Sequence, residues 1–214
     1  MLLTLDAAVD GCGAGLVVAG QVVVERRLAG RTLAALPELV AEVLRGNVLR
    51  GIGVLRGVVV TVGPGSFTGV RAAIALARGI GLGAEVPVVG VTVGDAIRAG
   101  AAESVAGIVG ARAVWVAIDS KRRRVFLDDG AGVASLTLGA LPWAVGPVAV
   151  AGDAAAAVVS RMAARGEDVQ LLGAAWPGVA GIAAAADRHG RAAIPLYVDP
   201  VEARPNPAWR PAPV

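Results

Sequence analysis

The chain has 214 residues, 56% of them hydrophobic and 17% charged, with a formal net charge of +3. That length allows one large core or two smaller ones, and the composition excludes a disordered chain. The mean hydropathy of +0.68 comes from short Ala, Val and Gly runs. The greasiest stretch, 171–186, is broken by Trp176-Pro177-Gly178 and Gly181, so no span reaches the roughly 20 uninterrupted apolar residues of a membrane helix.

Residues 2–6 are an apolar run ending in Asp6, followed by a small-residue turn from Ala7 to Gly15. Leu16–Ala19, a Gly20-Gln21 turn and Val22-Val23-Val24 continue the pattern, which predicts a three-stranded antiparallel meander. From Thr32 to Leu44 the apolar residues Leu33, Leu36, Val40, Val43 and Leu44 keep helical spacing, closed by Arg45-Gly46-Asn47. Val58–Val62 is a continuous apolar run, as in a strand buried on both faces. It leads into Gly63-Pro64-Gly65-Ser66-Phe67-Thr68-Gly69 and a helix from Val70 to about Ala84. Pro87–Val91 reads as a short strand, and Gly94-Asp95-Ala96 opens another helix.

A second cycle follows. Val114–Ile118 ends in Asp119, which stands 113 positions after Asp6. A turn, Ser120–Arg124, leads to Val125-Phe126-Leu127, and Val133–Leu138 comes next. The echo is too long for a solenoid and predicts a duplicated α/β unit. Val148–Val150 with Gly152-Asp153 then gives a strand, an N-cap and an Ala-rich helix to about Arg165. Trp176–Arg188 is helical, and the four-proline tail, Pro205–Val214, is irregular. The expected fold is α/β, two-lobed and actin-like, with the ribonuclease-H-like sheets of the sugar-kinase, Hsp70 and actin class. The expected first lobe is 1–98, completed by 191–214, and the second is 99–190.

The loop from Gly63 to Gly69 joins a buried strand to a helix, a place where backbone N–H groups can meet an anion. Pro64 removes one donor, and neither a following Lys nor a metal-binding hydroxyl is present. A tight turn with close backbone packing is the simpler reading. The helix after it carries Gly79, Gly81 and Gly83, each costing about 1 kcal/mol against Ala. Close approach of another helix would compensate, with Val70, Ile74 and Ala77 on one face and small residues left for a partner.

Gly63–Gly69, continuing Val70-Arg71-Ala72-Ala73-Ile74-Ala75-Leu76-Ala77-Arg78-Gly79-Ile80, resembles the signature of the TsaB family. Pro87–Thr92, Ile118-Asp119-Ser120-Lys121-Arg122 and Pro195-Leu196-Tyr197-Val198-Asp199-Pro200 resemble later family segments in the same order. The resemblance implies a non-catalytic scaffold subunit without a cofactor. Such a subunit binds and activates a homologous catalytic subunit, TsaD, which forms threonylcarbamoyladenosine in tRNA. A TsaE-type ATPase joins the complex, and related proteins form homodimers through the same surface. The implied interface lies on the first-lobe helices, at Leu33, Leu36, Val40, Phe67, Val70, Arg71, Ala73, Ile74, Ala77 and Arg78. Two departures stand out: Ala7 follows Asp6 where the family has Thr, and Gly30-Arg31-Thr32 replaces a His-Ser pair.

Catalytic chemistry has little to draw on. His189 is the only histidine, which excludes a two-histidine metal site, and no metal is expected. It reads as a solvated helix end. Ser66 has no base beside it in sequence for peptidase chemistry. Asp6 and Asp119 end equivalent strands, and in the kinase-like class such carboxylates face a nucleotide cleft; here they are read as remnants of one. Lys121-Arg122-Arg123-Arg124 is a solvated turn, so any contact with the tRNA backbone is indirect or weak. Cys12 is the sole cysteine, which excludes an internal disulfide and fits a reducing compartment. The start Leu2-Leu3-Thr4-Leu5-Asp6 lacks the features of a signal peptide, so a cytoplasmic protein with no membrane contact is expected. A stand-alone actin-like ATPase or kinase relative, and a self-associating scaffold without TsaD, remain the alternatives.

Overall fold

In the chain's α/β fold, two mixed sheets repeat one strand order. The computed structural model describes residues 1–30, 33–45, 54–109 and 112–199, with backbone only for 102–109. The strands Leu2–Asp6 (β1), Cys12–Val18 (β2) and Gln21–Leu28 (β3) form an antiparallel meander, with Leu2 opposite Val17 and Asp6 opposite Gly13. After the helix Leu36–Arg45 (α1), the strand Gly57–Thr61 (β4) lies parallel to β1. The helix Phe67–Ala84 (α2) then leads to Val88–Val91 (β5), parallel to β4. From the helix Val93–Val109 (α3) the chain enters a second meander: Ala113–Asp119 (β6), Val125–Asp128 (β7) and Val133–Leu136 (β8). Val148–Ala151 (β9) joins β6 in parallel, and the helix Ala155–Ala163 (α4) leads to Val169–Leu171 (β10), parallel to β9. The helix Val179–His189 (α5) and Arg191–Ala192 (β11) close the described chain, β11 pairing antiparallel with β5.

The sheets run β11-β5-β4-β1-β2-β3 and β10-β9-β6-β7-β8. Apart from β11, each is meander strand three, two, one, then two parallel strands. This is the ribonuclease-H-like order, used twice, of the two-lobed actin-like fold.

β4 is buried along its whole length because helices cover both faces. Val58, Val60 and Val62 join the cluster that holds Val70, Ala73, Ile74 and Ala77 of α2. Val59 points the other way, to Ile182 and Ala185 of α5. Each fully buried aliphatic side chain contributes about 1.5–3 kcal/mol, which fixes β4 as the centre of the first sheet. The largest core cluster crosses to the second sheet through Val93 and Ile97 of α3, which join Val116 and Ile118 of β6 and Ala149 and Ala151 of β9.

Several boundaries differ from expectation. α2 begins at Phe67, earlier than Val70, because Ser66 caps it: its Oγ accepts the Gly69 N–H at 3.1 Å. α1 is preceded by a 3-10 turn, Leu33–Ala35; the expected start at Thr32 and the close at Gly46-Asn47 lie outside the described residues, as do Gly51 to Gly53, Pro200 and the tail from Pro205. Asp153 is not the N-cap of α4, which is Ala154; its Oδ1 instead accepts the Asp119 N–H at 2.8 Å. α5 starts at Val179, after Pro177 and Gly178. The expected lobe boundary at 98/99 falls inside α3, and α5, expected in the second lobe, packs on the first sheet. Its apolar face demands this, for Val179 and Ala183 bury against Val17, and Ile182 and Ala185 against Val59 and Val91.

Candidate functional site: the interlobe cleft and the exposed face of α2

The turn between β4 and α2 is pressed against the β1–β2 connection. The Ser66 N–H donates to the Ala8 carbonyl at 2.7 Å. A Cβ on Gly65 would lie 2.1 Å from the Ala8 oxygen, and one on Gly69 would lie 1.9 Å from the Ala7 oxygen. Real Cβ atoms never come so close, so the glycines are there for backbone contact.

Beside this turn is a cleft of about 810 Å³, lined from the first sheet's side by 7–11 and 64–70 and from the second by 119–122 and Asp153. Leu196–Asp199 forms a third wall. Asp119 lines the cleft. Its Oδ1 accepts the Lys121 N–H at 2.7 Å and its Oδ2 the Lys121 ammonium at 3.0 Å. The same ammonium lies 3.7 Å from Asp153 Oδ2. Partial burial raises the Asp119 pKa, but the hydrogen bonds from Lys121 outweigh it and leave the group below its usual value. Asp153 is more enclosed, and its burial pushes it up. The hydrogen bond to Asp119 raises the Lys121 pKa.

Asp6 does not line the cleft, which corrects its reading as the second cleft carboxylate. It is 2% exposed. Its Oδ1 accepts the Thr61 hydroxyl at 2.6 Å and the Ala8 N–H at 3.0 Å, and its Oδ2 accepts from Arg27 at 3.1 Å. Desolvation raises its pKa despite these three partners. Arg27 also donates to the carbonyls of Val9 and Asp10, so Asp6 and Arg27 together pin the β1–β2 turn. With Ala7 buried next to it, this strand end is committed to the fold.

The expected interface residues divide by helical phase. Val70, Ala73, Ile74 and Ala77 of α2, with Leu36 and Val40 of α1, are buried in the chain's own core. They cannot meet a partner, because they already seal α1 and α2 onto the first sheet. Leu33 is half-buried, while Phe67, Arg71 and Arg78 stand on the outer face of α2. Leu82, 83% exposed, extends this face and was not anticipated, although its spacing from Phe67, Arg71 and Arg78 is the signal that could have found it. The helix glycines also divide: Gly81 packs on Val88, and Gly79 and Gly83 have nothing near them.

Tyr197 is a second residue that sequence reasoning missed. Its ring lies 5.6 Å from that of Phe67, and its hydroxyl accepts from Arg71 Nε at 2.5 Å. The Arg71 guanidinium lies 3.8 Å from the Phe67 ring centre. Further along, Arg78 donates to the Ala193 carbonyl at 2.7 Å. The strap 193–197 therefore runs beside the exposed face of α2 and reaches the cleft wall at Leu196 and Tyr197.

The remaining candidates are dispersed. His189 ends α5 and is exposed. The Ser66 hydroxyl is a helix cap, and Cys12 is buried in β2. In the basic turn, Lys121 is tied to Asp119 and Arg124 to the Ser135 hydroxyl and carbonyl, while Arg122 and Arg123 are exposed. Among the described residues no three His, Cys, Asp or Glu side chains are grouped to hold a metal ion, and no helix is long and apolar enough to cross a membrane.

The family described as TsaD, tRNA N6-adenosine threonylcarbamoyltransferase, matches residues 23–151, more than half of the chain. Two curated relatives, from Haemophilus influenzae and Escherichia coli K12, are both described as tRNA threonylcarbamoyladenosine biosynthesis protein TsaB. The chain belongs to this family, in its TsaB/YeaZ branch. The first relative is 31% identical over 129 residues, 60% of this chain and 52% of the relative. The second is 36% identical over 129 residues, 58% and 52% respectively. These matches thus span about half the length of each relative. YeaZ from Pseudomonas aeruginosa superposes with a TM-score of 0.73 at 24% identity, over 92% of this chain and 98% of that one. A second structure, of an uncharacterized protein with similarity to peptidase YEAZ from the same organism, gives 0.73 at 23%, over 92% and 99%. At these identities the likeness is one of fold, and it establishes that of the TsaB/YeaZ branch.

Proposed function

We propose that this TsaB-family chain is the non-catalytic scaffold subunit of the machinery that forms threonylcarbamoyladenosine in tRNA, binding and activating a TsaD-type catalytic subunit. The observation that carries this reading is the outer face of α2, where Phe67, Arg71, Arg78 and Leu82 stand clear of the core. Exposed aromatic and arginine side chains are the types enriched at binding hot spots. In this reading a TsaE-type ATPase joins the assembled pair, tRNA is reached mainly through the catalytic subunit, and homodimerisation would use the same face of α2. A stand-alone kinase or ATPase would need a free strand-end carboxylate in the first lobe, and the burial of Asp6 against Arg27 counts against that.

The test is to mix the chain with the TsaD-type subunit of its own organism and weigh the product by light scattering after size exclusion. A one-to-one complex is expected. Two separate folded proteins at micromolar concentration, with nucleotide and the TsaE-type subunit present, would refute the reading.

A further inference from the structure

At the end of the β6–β7 pair opposite Asp119, a further contact joins the lobes. Asp128 ends β7 in the second sheet, and α3 begins directly after β5 of the first. Arg98 of α3 makes two parallel hydrogen bonds to Asp128, NH1 to Oδ1 at 2.9 Å and NH2 to Oδ2 at 3.0 Å. Asp128 is 5% exposed, so the pair is largely shielded from water, where bidentate arginine–carboxylate contacts are strong and directional.

The pair is held from both sides. The Gly130 N–H donates to Asp128 Oδ1 at 3.0 Å, and Arg98 NH2 reaches Asp95 Oδ1 at 3.3 Å. Asp95 is itself fixed by Thr92, whose hydroxyl donates to Asp95 Oδ2 at 2.6 Å and accepts the Asp95 N–H at 2.9 Å. The backbone is shaped to fit, since a Cβ on Gly94 would lie 1.9 Å from Asp128 Oδ2. The carboxylate therefore sits in a notch in the first turn of α3 that the missing side chain of Gly94 leaves open. Under it, Val93 and Ile97 of the same helix join Val116 and Ile118 of β6 in one core cluster.

We infer that Asp128, seated in the Gly94 notch and gripped by Arg98, is a clamp that fixes the angle between the lobes and so the width of the cleft. Hinge closure about α3 would have to pull a buried carboxylate out of its socket and break the apolar seam together. The fold thus presents the cleft and the neighbouring face of α2 at one fixed geometry, whether or not the cleft is filled. This inference is independent of the proposed partner.

The experiment is pulsed electron–electron spectroscopy on the full chain, with Cys12→Ala and spin labels at Thr68→Cys and Arg122→Cys on the two lips of the cleft. A single narrow distance distribution is expected. Gly94→Ala, which keeps both charges but fills the notch, and Arg98→Met, which removes the grip, are each expected to broaden the distribution and shift it to longer distances. Arg98→Lys, a milder change, covers the case in which Arg98→Met does not fold, and circular dichroism checks each variant. Arg26→Gln, which breaks an exposed ion pair between β3 and α1, is expected to leave the distribution unchanged. The inference is overturned if the parent distribution is already broad. It is equally overturned if folded Gly94→Ala and the arginine variant match the parent, or if Arg26→Gln broadens it as much.

Discussion

Truncating Phe67 to alanine, set beside Ile74→Ala about two turns along the same helix, separates the exposed from the buried positions of α2. Phe67 is 47% exposed, and its ring packs against Tyr197 and Arg71. An aromatic pair contributes about 0.5–1.5 kcal/mol and an exposed cation–π contact about 0.5–1 kcal/mol. Phe67→Ala should therefore cost roughly 1–2 kcal/mol of stability. If the outer face docks a partner, the same change removes a hot spot, for which a loss of at least about 2 kcal/mol of binding is typical, or about 30-fold in Kd. Ile74 is 4% exposed, and Ile74→Ala should cost about 2–5 kcal/mol of stability through the cavity it leaves. Its effect on affinity should be less than about threefold, since an affinity change that small is under 1 kcal/mol. Urea unfolding and titration calorimetry against the TsaD-type subunit read the two quantities separately. A folded Phe67→Ala protein with unchanged affinity, or an Ile74→Ala protein that loses affinity in proportion to stability, would refute the division of the helix.

Asp6→Asn should leave tRNA modification by a reconstituted complex nearly intact, because Asp6 is buried and paired with Arg27 away from the cleft; loss of modification with partner binding retained would contradict this. The pH dependence of the same variant has a definite sign. The Asp6 pKa is raised in the fold above 3.8, so the native state holds its proton more tightly than the unfolded chain does. Wild type should then gain stability over Asp6→Asn as pH falls from neutrality towards 3.8, read by chemical denaturation at several pH values; the opposite trend would mean that Arg27 dominates. Gly69→Ala should destabilise by about 1–3 kcal/mol, the usual range for overpacking, since its Cβ would strike the Ala7 carbonyl; an unchanged melting temperature would show that the β1–β2 turn yields. Lys121→Met should raise the Asp119 pKa by removing its ammonium partner, measured by carboxyl-carbon NMR titration. No movement would mean that the backbone N–H alone holds it.

The fold was readable from sequence wherever apolar runs were long. The Val58–Val62 run and the two meanders, each with a strand ending in Asp, carried the architecture, because full burial and duplication leave local traces. The strands β10 and β11 left none: with three residues and two, they are defined by their neighbours' free edges. The assignment of α5 to the first sheet was hidden for a similar reason, since amphipathic spacing tells that a helix buries a face but not on which sheet. At the site, the sequence located the helix but not its phase relative to the core. Val70, Ala73, Ile74 and Ala77 read as one face with Phe67 and Arg71, although their mean direction around the helix lies about a quarter turn away, with Ile74 at the boundary only about 20° from Phe67. Asp6 and Asp119 looked equivalent in sequence. They differ because Arg27, twenty-one positions after Asp6 in β3, reaches back to claim one of them, a contact that no local pattern announces.

The return of α5 and β11 to the first sheet also sets the order in which the molecule can be made. As the chain leaves the ribosome, β1 to β5 are complete by residue 91, yet the helix that covers Val17, Val59 and Val91 is not finished until residue 189. At roughly 5–20 residues per second, translation leaves one side of the central sheet without its permanent cover for on the order of ten seconds. During that interval the face of the sheet that holds Val17, Val59 and Val91 waits for α5. Truncation before residue 189 would leave that face uncovered.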